Sequence, residues 1–358
     1  MRVSLTCRLF FSLLLLFLFS GCTVIGPGTV ERDRFDYSTS IAESWKKMML
    51  LNIVKLRYGD TPIFLEVGSI VSQYSMETEL EASAVLRSGD LFGNGMNLGG
   101  KGKYADRPTI TYTPMMGKKF AKSLLAPIPP HALLSLIQSG WNAEFVLRVC
   151  LSAVNGLYNG SGRQMMNRSA DKEFIEFLDT LTYIQRAGGL GARMIDQNNA
   201  KSIVFFRRNI GKELERQVLF FLELLGLNPD SKEFSLVYGS SAANDREIAM
   251  LTRSMLEIIV EISQYVRVPE SHVLENRASH GHYSSSTSID EKRSRVLIKS
   301  SREKPDDAFL AIEYRDYWFF IEDTDFRSKR LFSFLLFLFT LAESGSQGLS
   351  PVLTLPAG

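Results

Sequence analysis

Hydrophobic positions fall along the chain in three patterns. From Leu9 to Phe19 every position except Ser12 is apolar, with Arg2 and Arg8 before the run and Ser20-Gly21-Cys22 after it. Residues 40–58 have helical spacing instead. Apolar side chains recur at Ile41, Trp45, Met48, Met49, Ile53 and Leu56, Ser40-Ile41-Ala42-Glu43 has the spacing of a capping box, and Gly59 follows as a stop. The third pattern alternates: Leu80, Ala82, Ala84 and Leu86 against Glu79, Glu81, Ser83 and Arg87, as in a half-exposed strand. Residues 62–74 also read as extended, and the glycine-rich stretch 93–102 reads as a long hairpin link to a further strand at 109–113.

Helical spacing returns at 131–139, 143–157, 172–186, 212–225 and 246–266, with Asn142 and Asp171 placed as N-caps. Strand candidates lie at 202–206 and 234–238. Residues 277–288, which include Ser279-His280-Gly281-His282, have no apolar period and predict a surface loop. The end returns to strands at 295–299, 308–314 and 317–321, then a helix over 325–343 and a last apolar stretch at 352–355. This order predicts an α+β fold: a helix-rich middle with an antiparallel sheet formed by N- and C-terminal strands, in one domain over residues 36–358. Residues 331–342 are apolar on all sides, but a span needs about 20 such residues, so a buried core helix is expected. The alternative is a helix dipping into lipid with Arg327, Lys329 and Arg330 at the headgroups.

Composition and charge narrow the function classes. The 358 residues carry 41 Lys+Arg against 39 Asp+Glu, 22% charged and 45% apolar, a globular balance that excludes disordered, collagenous and polytopic membrane classes. The formal charge of +2 is not gathered into a basic stripe, so no nucleic-acid partner is expected. Three cysteines cannot build a disulfide framework.

Residues 1–21 have the positive start, short apolar run and small-residue end of an export signal. Leu18-Phe19-Ser20-Gly21-Cys22 resembles the lipobox of bacterial lipoproteins, with Phe19 where a smaller aliphatic residue is usual. The resemblance implies cleavage before Cys22 and lipid attachment to Cys22, hence a membrane-lipid partner through the acylated cysteine. An uncleaved anchor and an ordinary cleaved signal are the alternatives. Cleavage would remove Arg2 and Arg8 and with them the formal excess of +2. Thr23, where lipoproteins retained in an inner membrane commonly carry Asp, implies the outer membrane and its periplasmic face. Gly26-Pro27-Gly28 reads as a break in regular structure, making residues 22–35 a flexible tether reaching about 40 Å. The runs at 32–37, 44–60, 106–114 and 305–339 resemble a family of uncharacterised Gram-negative lipoproteins, and no activity comes with that resemblance.

The search for chemistry returns no catalytic constellation and no cofactor. Gly95-Met96-Asn97-Leu98-Gly99-Gly100-Lys101 fits the start of a phosphate loop, but Gly102 stands where a hydroxyl should and no helix pattern follows. Gly93-Asn94-Gly95 has no glycine at Leu98, so the dinucleotide fingerprint fails too. Ser44/Lys47 and Ser301/Lys304 have Ser-x-x-Lys spacing without the Lys-Thr-Gly that should accompany it. Cys150 lies in an apolar helix and reads as core. His280 and His282, with His272 or Asp290, lack a second motif that would fix a metal. The carboxylates at 306–307 and 322–325 suit a turn and a helix N-terminus, leaving Glu313, in a strand between Ile312 and Tyr314, as the one carboxylate with a setting suited to acid catalysis. Two readings follow: a non-catalytic binding or structural module of the cell envelope, with a possible envelope protein partner, or a hydrolase acting on glycan or lipid through carboxylates.

Overall fold

A computed structural model describes residues 27–71, 74–85, 95–106, 109–160, 169–196, 201–207, 211–279 and 296–344. The chain is α+β. Helix α1, Pro27–Arg57, begins well before Ser40. Proline at the first helical position forfeits only an N–H that would have no partner there, and its fixed φ suits the helix. The expected tether is therefore helical from Pro27, and the expected capping box at Ser40 lies inside the helix. The signal segment and Cys22 lie outside the described residues.

Two units can be distinguished. The first takes Met1–Trp45, Leu65–Pro114 and Leu349–Gly358. Within it β1 (Leu65–Val71) pairs antiparallel with β4 (Thr109–Pro114), and β2 (Tyr74–Val85) pairs antiparallel with β3 (Gly95–Asp106). The glycine-rich stretch expected to be a link is thus a strand from Gly95 onward. A β-ladder is made by backbone N–H and C=O groups, which glycine supplies as well as any residue, although it weakens a strand. None of the side chains described in this unit is buried.

The second unit, Lys46–Phe64 and Met115–Gly348, holds the core. Its α1 segment buries Leu50, Ile53, Val54 and Arg57, an i, i+3, i+4, i+7 face. A short helix α2 (Gly117–Phe120) with a π-turn, α3 (Pro130–Gln138) and α4 (Ala143–Cys150) follow. Then comes a six-stranded sheet in the order β6-β5-β10-β9-β8-β7, built from β5 (Leu151–Val154), β6 (Leu157–Tyr158), β7 (Leu190–Asp196), β8 (Lys201–Phe206), β9 (Glu233–Tyr238) and β10 (Glu247–Thr252). All its pairs are antiparallel except β9 with β10. Helices α5 (Lys172–Arg186) and α6 (Lys212–Leu224) join the sheet through aromatic contacts running Phe174, Phe177, Phe221, Phe206, Phe234.

Two expected helices are shorter than their apolar spacing implied. The run 143–157 breaks after Cys150 into the β5–β6 hairpin, whose turn residues Asn155 and Gly156 have φ of +42° and +84°. Residues 246–266 divide into β10 and α7 (Met255–Ser263), which starts at a full capping box between Ser254 and Glu257. Asn142 caps α4 as expected, its side chain accepting from Phe145 N–H, whereas Asp171 stands at the N-cap of α5 but accepts from the Tyr158 backbone.

The C-terminal strands β11 (Lys299–Ser301), β12 (Ala308–Tyr314) and β13 (Tyr317–Glu322) form their own antiparallel sheet in the order β11-β13-β12. Among the described residues, strands from the two ends of the chain therefore pair within their own groups and do not share the one sheet expected of them. Helix α8 (Glu270–Leu274) precedes these strands and α9 (Phe326–Ser344) follows them. Leu331, Phe332, Phe334, Leu335, Leu338 and Phe339 of α9 are buried, which is the core position expected of it. Among the described residues no helix is long and apolar enough to cross a membrane.

Candidate functional site

The stop of α1 begins the construction of a site in the second unit. Gly59 takes φ +72°, its N–H donates to Leu56 O at 3.2 Å, and the Asp60 N–H donates to Lys55 O at 2.9 Å, the paired bonds of a Schellman cap. The cap leaves Tyr58 buried and brings Asp60 to the β12–β13 turn. There its carboxylate accepts from the Tyr314 hydroxyl and, at 3.1 Å, from the Arg315 guanidinium.

That turn consists of Arg315 and Asp316, with φ of +51° and +65°. Two left-handed residues in succession give the type I′ turn whose twist matches a hairpin, and Asn-Gly is its usual occupant. Side chains with a Cβ sit there at a cost of about 1 kcal/mol each. Arg315 is held in return by Asp60 and by the faces of Tyr58 and Tyr314, whose ring centroids lie 4.9 and 5.5 Å from its guanidinium.

Helix α8 supplies His272, which is 7% exposed. Its Nδ1 lies 2.8 Å from the Tyr58 hydroxyl, and the rings of Tyr58 and Tyr317 meet it edge-on. Burial pushes the Tyr58 hydroxyl up to about 12, against the pull of Arg315 and Arg57. Burial, and then the charge of Arg277, holds the His272 imidazolium below its ordinary range. At neutral pH the tyrosine keeps its proton and the imidazole is uncharged. The hydroxyl then donates to Nδ1 and the ring proton resides on Nε2, a tautomer assigned from this bond.

His272 and Tyr317 line a cavity of about 810 Å³ with Arg277, Arg302, Arg315, Glu275 and Asp316. Three guanidiniums thus face two carboxylates. Arg277 pairs with Glu275 at 2.6 Å, and the Arg302 Nε donates to the Tyr317 hydroxyl at 3.2 Å. Exposed pairs of this kind contribute about 0–1 kcal/mol, so their cations can reorient toward a ligand at little cost. The histidine's hydrogen bond goes to a tyrosine and not to a nucleophile or a carboxylate. The arrangement suits recognition of an oxyanion by charge-assisted hydrogen bonds.

The residues singled out in the sequence are not gathered at this cavity, apart from His272. Cys22, His280, His282 and Asp290 lie outside the described residues, and among the described residues no three potential ligands are grouped to hold a metal. The stretch Gly95 to Lys101 lies in strand β3, paired antiparallel with β2, so it is not the loop that a phosphate-binding motif requires. Ser44 is exposed within α1, and the Ser301 hydroxyl donates to Glu303 O. Cys150 is fully buried, and burial pushes its thiol up to about 12, as befits a core residue. Asp325 accepts from Ser328 N–H and hydroxyl at the start of α9, Asp323 pairs with Lys329 and Glu322 with Lys299. Glu313 is exposed, whereas a carboxylic acid kept protonated for catalysis needs a buried setting.

Sequence reasoning missed Tyr58, Arg302, Arg315 and Tyr317. One signal was present: strands ending at Tyr314 and resuming at Tyr317 leave two turn residues, and Arg-Asp in a slot that favours Asn-Gly marks a turn serving something besides hairpin closure. No protein family matches the chain, nor does any curated protein or solved structure.

Proposed function

We propose that the protein is a non-catalytic binding module of the cell envelope, anchored through acylated Cys22 in the outer membrane and facing the periplasm, that binds an envelope component bearing phosphate or carboxylate groups. The observation that carries the binding reading is the cavity in which Arg277, Arg302 and Arg315 surround an uncharged His272. The anchoring reading rests on the sequence of residues 1–23. Hydrolysis through carboxylates has less support, because Glu275 is ion-paired to Arg277, and Glu275 and Asp316 are both exposed.

Each half has its own test. Cys22→Ser is expected to abolish labelling by a fatty-acid analogue and to move the protein out of the outer-membrane fraction; unchanged labelling and fractionation would contradict the anchor. A photo-crosslinking side chain at Ser271, on the cavity wall but outside its ion pairs, is expected to capture an oxyanion-bearing component in intact cells. Capture that persists undiminished in Arg302→Gln would contradict the cavity as the binding site.

A further inference from the structure

A second cavity in the same unit, of about 510 Å³, is lined by residues along the length of α4 and by the first turns of α9. This is within the size range of small-molecule sites, about 300–1,000 Å³. Its walls are of two kinds. Phe145, Val149, Phe326 and Leu331 are apolar; Arg148, Arg327 and Arg330 bring three guanidiniums against the single carboxylate of Glu144. The Arg148 side chain is 10% exposed; one terminal nitrogen bonds Glu144 at 3.1 Å, while its Nε is buried without a hydrogen-bond partner. A desolvated guanidinium N–H left unpaired costs about 1–3 kcal/mol, and having no accessible area it is not itself a contact point, which leaves the terminal nitrogens of Arg148 to meet a ligand. Arg330 lies over the Phe145 ring at 4.5 Å, so the cationic and apolar parts of the wall adjoin. The first-turn N–H groups of α4 are already taken, Ala143 by Gln185, Glu144 by Thr182 and Phe145 by Asn142, so the positive character of the cavity rests on its guanidiniums. Phe326, at 73% exposure, stands at the cavity as an apolar side chain that no core packing explains.

We infer that this cavity binds a single-chain anionic amphiphile, its phosphate or carboxylate head on Arg148, Arg327 and Arg330 and its chain along Phe145, Val149, Phe326 and Leu331. A bare oxyanion would leave the apolar wall unused, and an uncharged chain would leave unused the positive balance of a lining with three guanidiniums and one carboxylate. The site is separate from the cavity at His272, and its occupancy does not depend on the function proposed for that cavity.

The test is calorimetric titration of the full chain, held in dodecyl maltoside, with dodecyl phosphate, inorganic phosphate and dodecanol in parallel. Saturable one-to-one binding of dodecyl phosphate is expected, with inorganic phosphate and dodecanol each weaker by about ten-fold or more. Arg330→Gln and Arg148→Gln are each expected to weaken dodecyl phosphate about ten-fold, and Arg302→Gln, in the other cavity, to leave it unchanged. Arg148 is half-buried and ion-paired, so the exposed Arg330 carries the comparison if the Arg148 variant does not fold. Inorganic phosphate binding as tightly as dodecyl phosphate, dodecanol binding equally well, or binding only to vesicles of anionic lipid would each overturn the inference.

Discussion

The Tyr58 hydroxyl and Nδ1 of His272 meet at 2.8 Å across 214 residues of sequence, in a buried setting that favours the uncharged form of both. The pair joins the end of α1 to α8 and sets the histidine's tautomer at the cavity wall. It also ties stability to pH in a defined direction.

For His272 the folded state lowers the imidazolium pKa below 6.5, so the unfolded chain takes up a proton first as pH falls. The stabilisation is fully present above pH 6.5 and is lost as pH drops from there toward the native value. Urea denaturation across that range is expected to show an acid loss that His272→Gln does not share. Tyr58 acts at the other end: its contribution is whole below the ordinary tyrosine value of 10.0 and is lost as pH rises toward about 12. A variant with the same acid slope as the parent would refute the assignment of the histidine.

Asp316 occupies a left-handed position of the β12–β13 turn and adds a carboxylate to a cavity that otherwise favours anions. Asp316→Gly is therefore expected to stabilise the fold by about 1 kcal/mol while tightening anion binding. Chemical denaturation and titration of the same variant check both signs. A destabilised variant would mean that the aspartate holds the turn by a contact of its own.

Asn155 holds the β5–β6 turn to its surroundings. Its amide donates to Leu225 O and Glu247 O, and its carbonyl accepts from Ala249 N–H at 2.7 Å. Asn155→Ala forfeits three hydrogen bonds and places a Cβ-bearing residue without side-chain compensation at φ +42°, a loss of about 3 kcal/mol. Asn155→Gly keeps the backbone freedom and is expected to cost less than the alanine variant. An alanine variant within 0.5 kcal/mol of the parent, which is about the size of an ordinary surface substitution, would rule this role out.

Cys150 tests the packing of α4. With its thiol fully buried and pushed up to about 12, it is expected to resist alkylation by iodoacetamide at pH 8 in the folded protein and to react on unfolding. Stoichiometric modification of the native chain, located to Cys150 by peptide mapping, would contradict the core position.

Long elements with strong periodicity were legible in the sequence. Helices α5 and α6 follow from their helical spacing, strands β8, β9, β12 and β13 stand where short apolar runs predicted them, and α9, apolar on all sides but too short to span, is buried as its length implied. The α4–β5 and β10–α7 junctions were obscured because buried strands and buried helices are both continuous apolar runs. Local chemistry marked the breaks all the same, as Asn155-Gly156 for a hairpin and Ser254-x-x-Glu257 for a helix start. The cavity at His272 was not legible, since it draws residues from α8, the segments that follow α8 and β11, the β12–β13 turn and β13, which share no motif. Of its members, His272 stood out only as a possible metal ligand, and the ill-suited occupants of the turn left the other trace in the sequence.

Titration of the full chain with pyrophosphate, beside Arg302→Gln and an Arg302→Gln/Arg315→Gln double variant, addresses the binding claim most directly. Arg302 is exposed and bonds only the Tyr317 hydroxyl and ring among the contacts described, so its loss should spare the fold. The account expects saturable binding that weakens with added salt, falls about ten-fold in the single variant and further in the double. Absence of saturable binding, or binding equal in all three proteins, would contradict it.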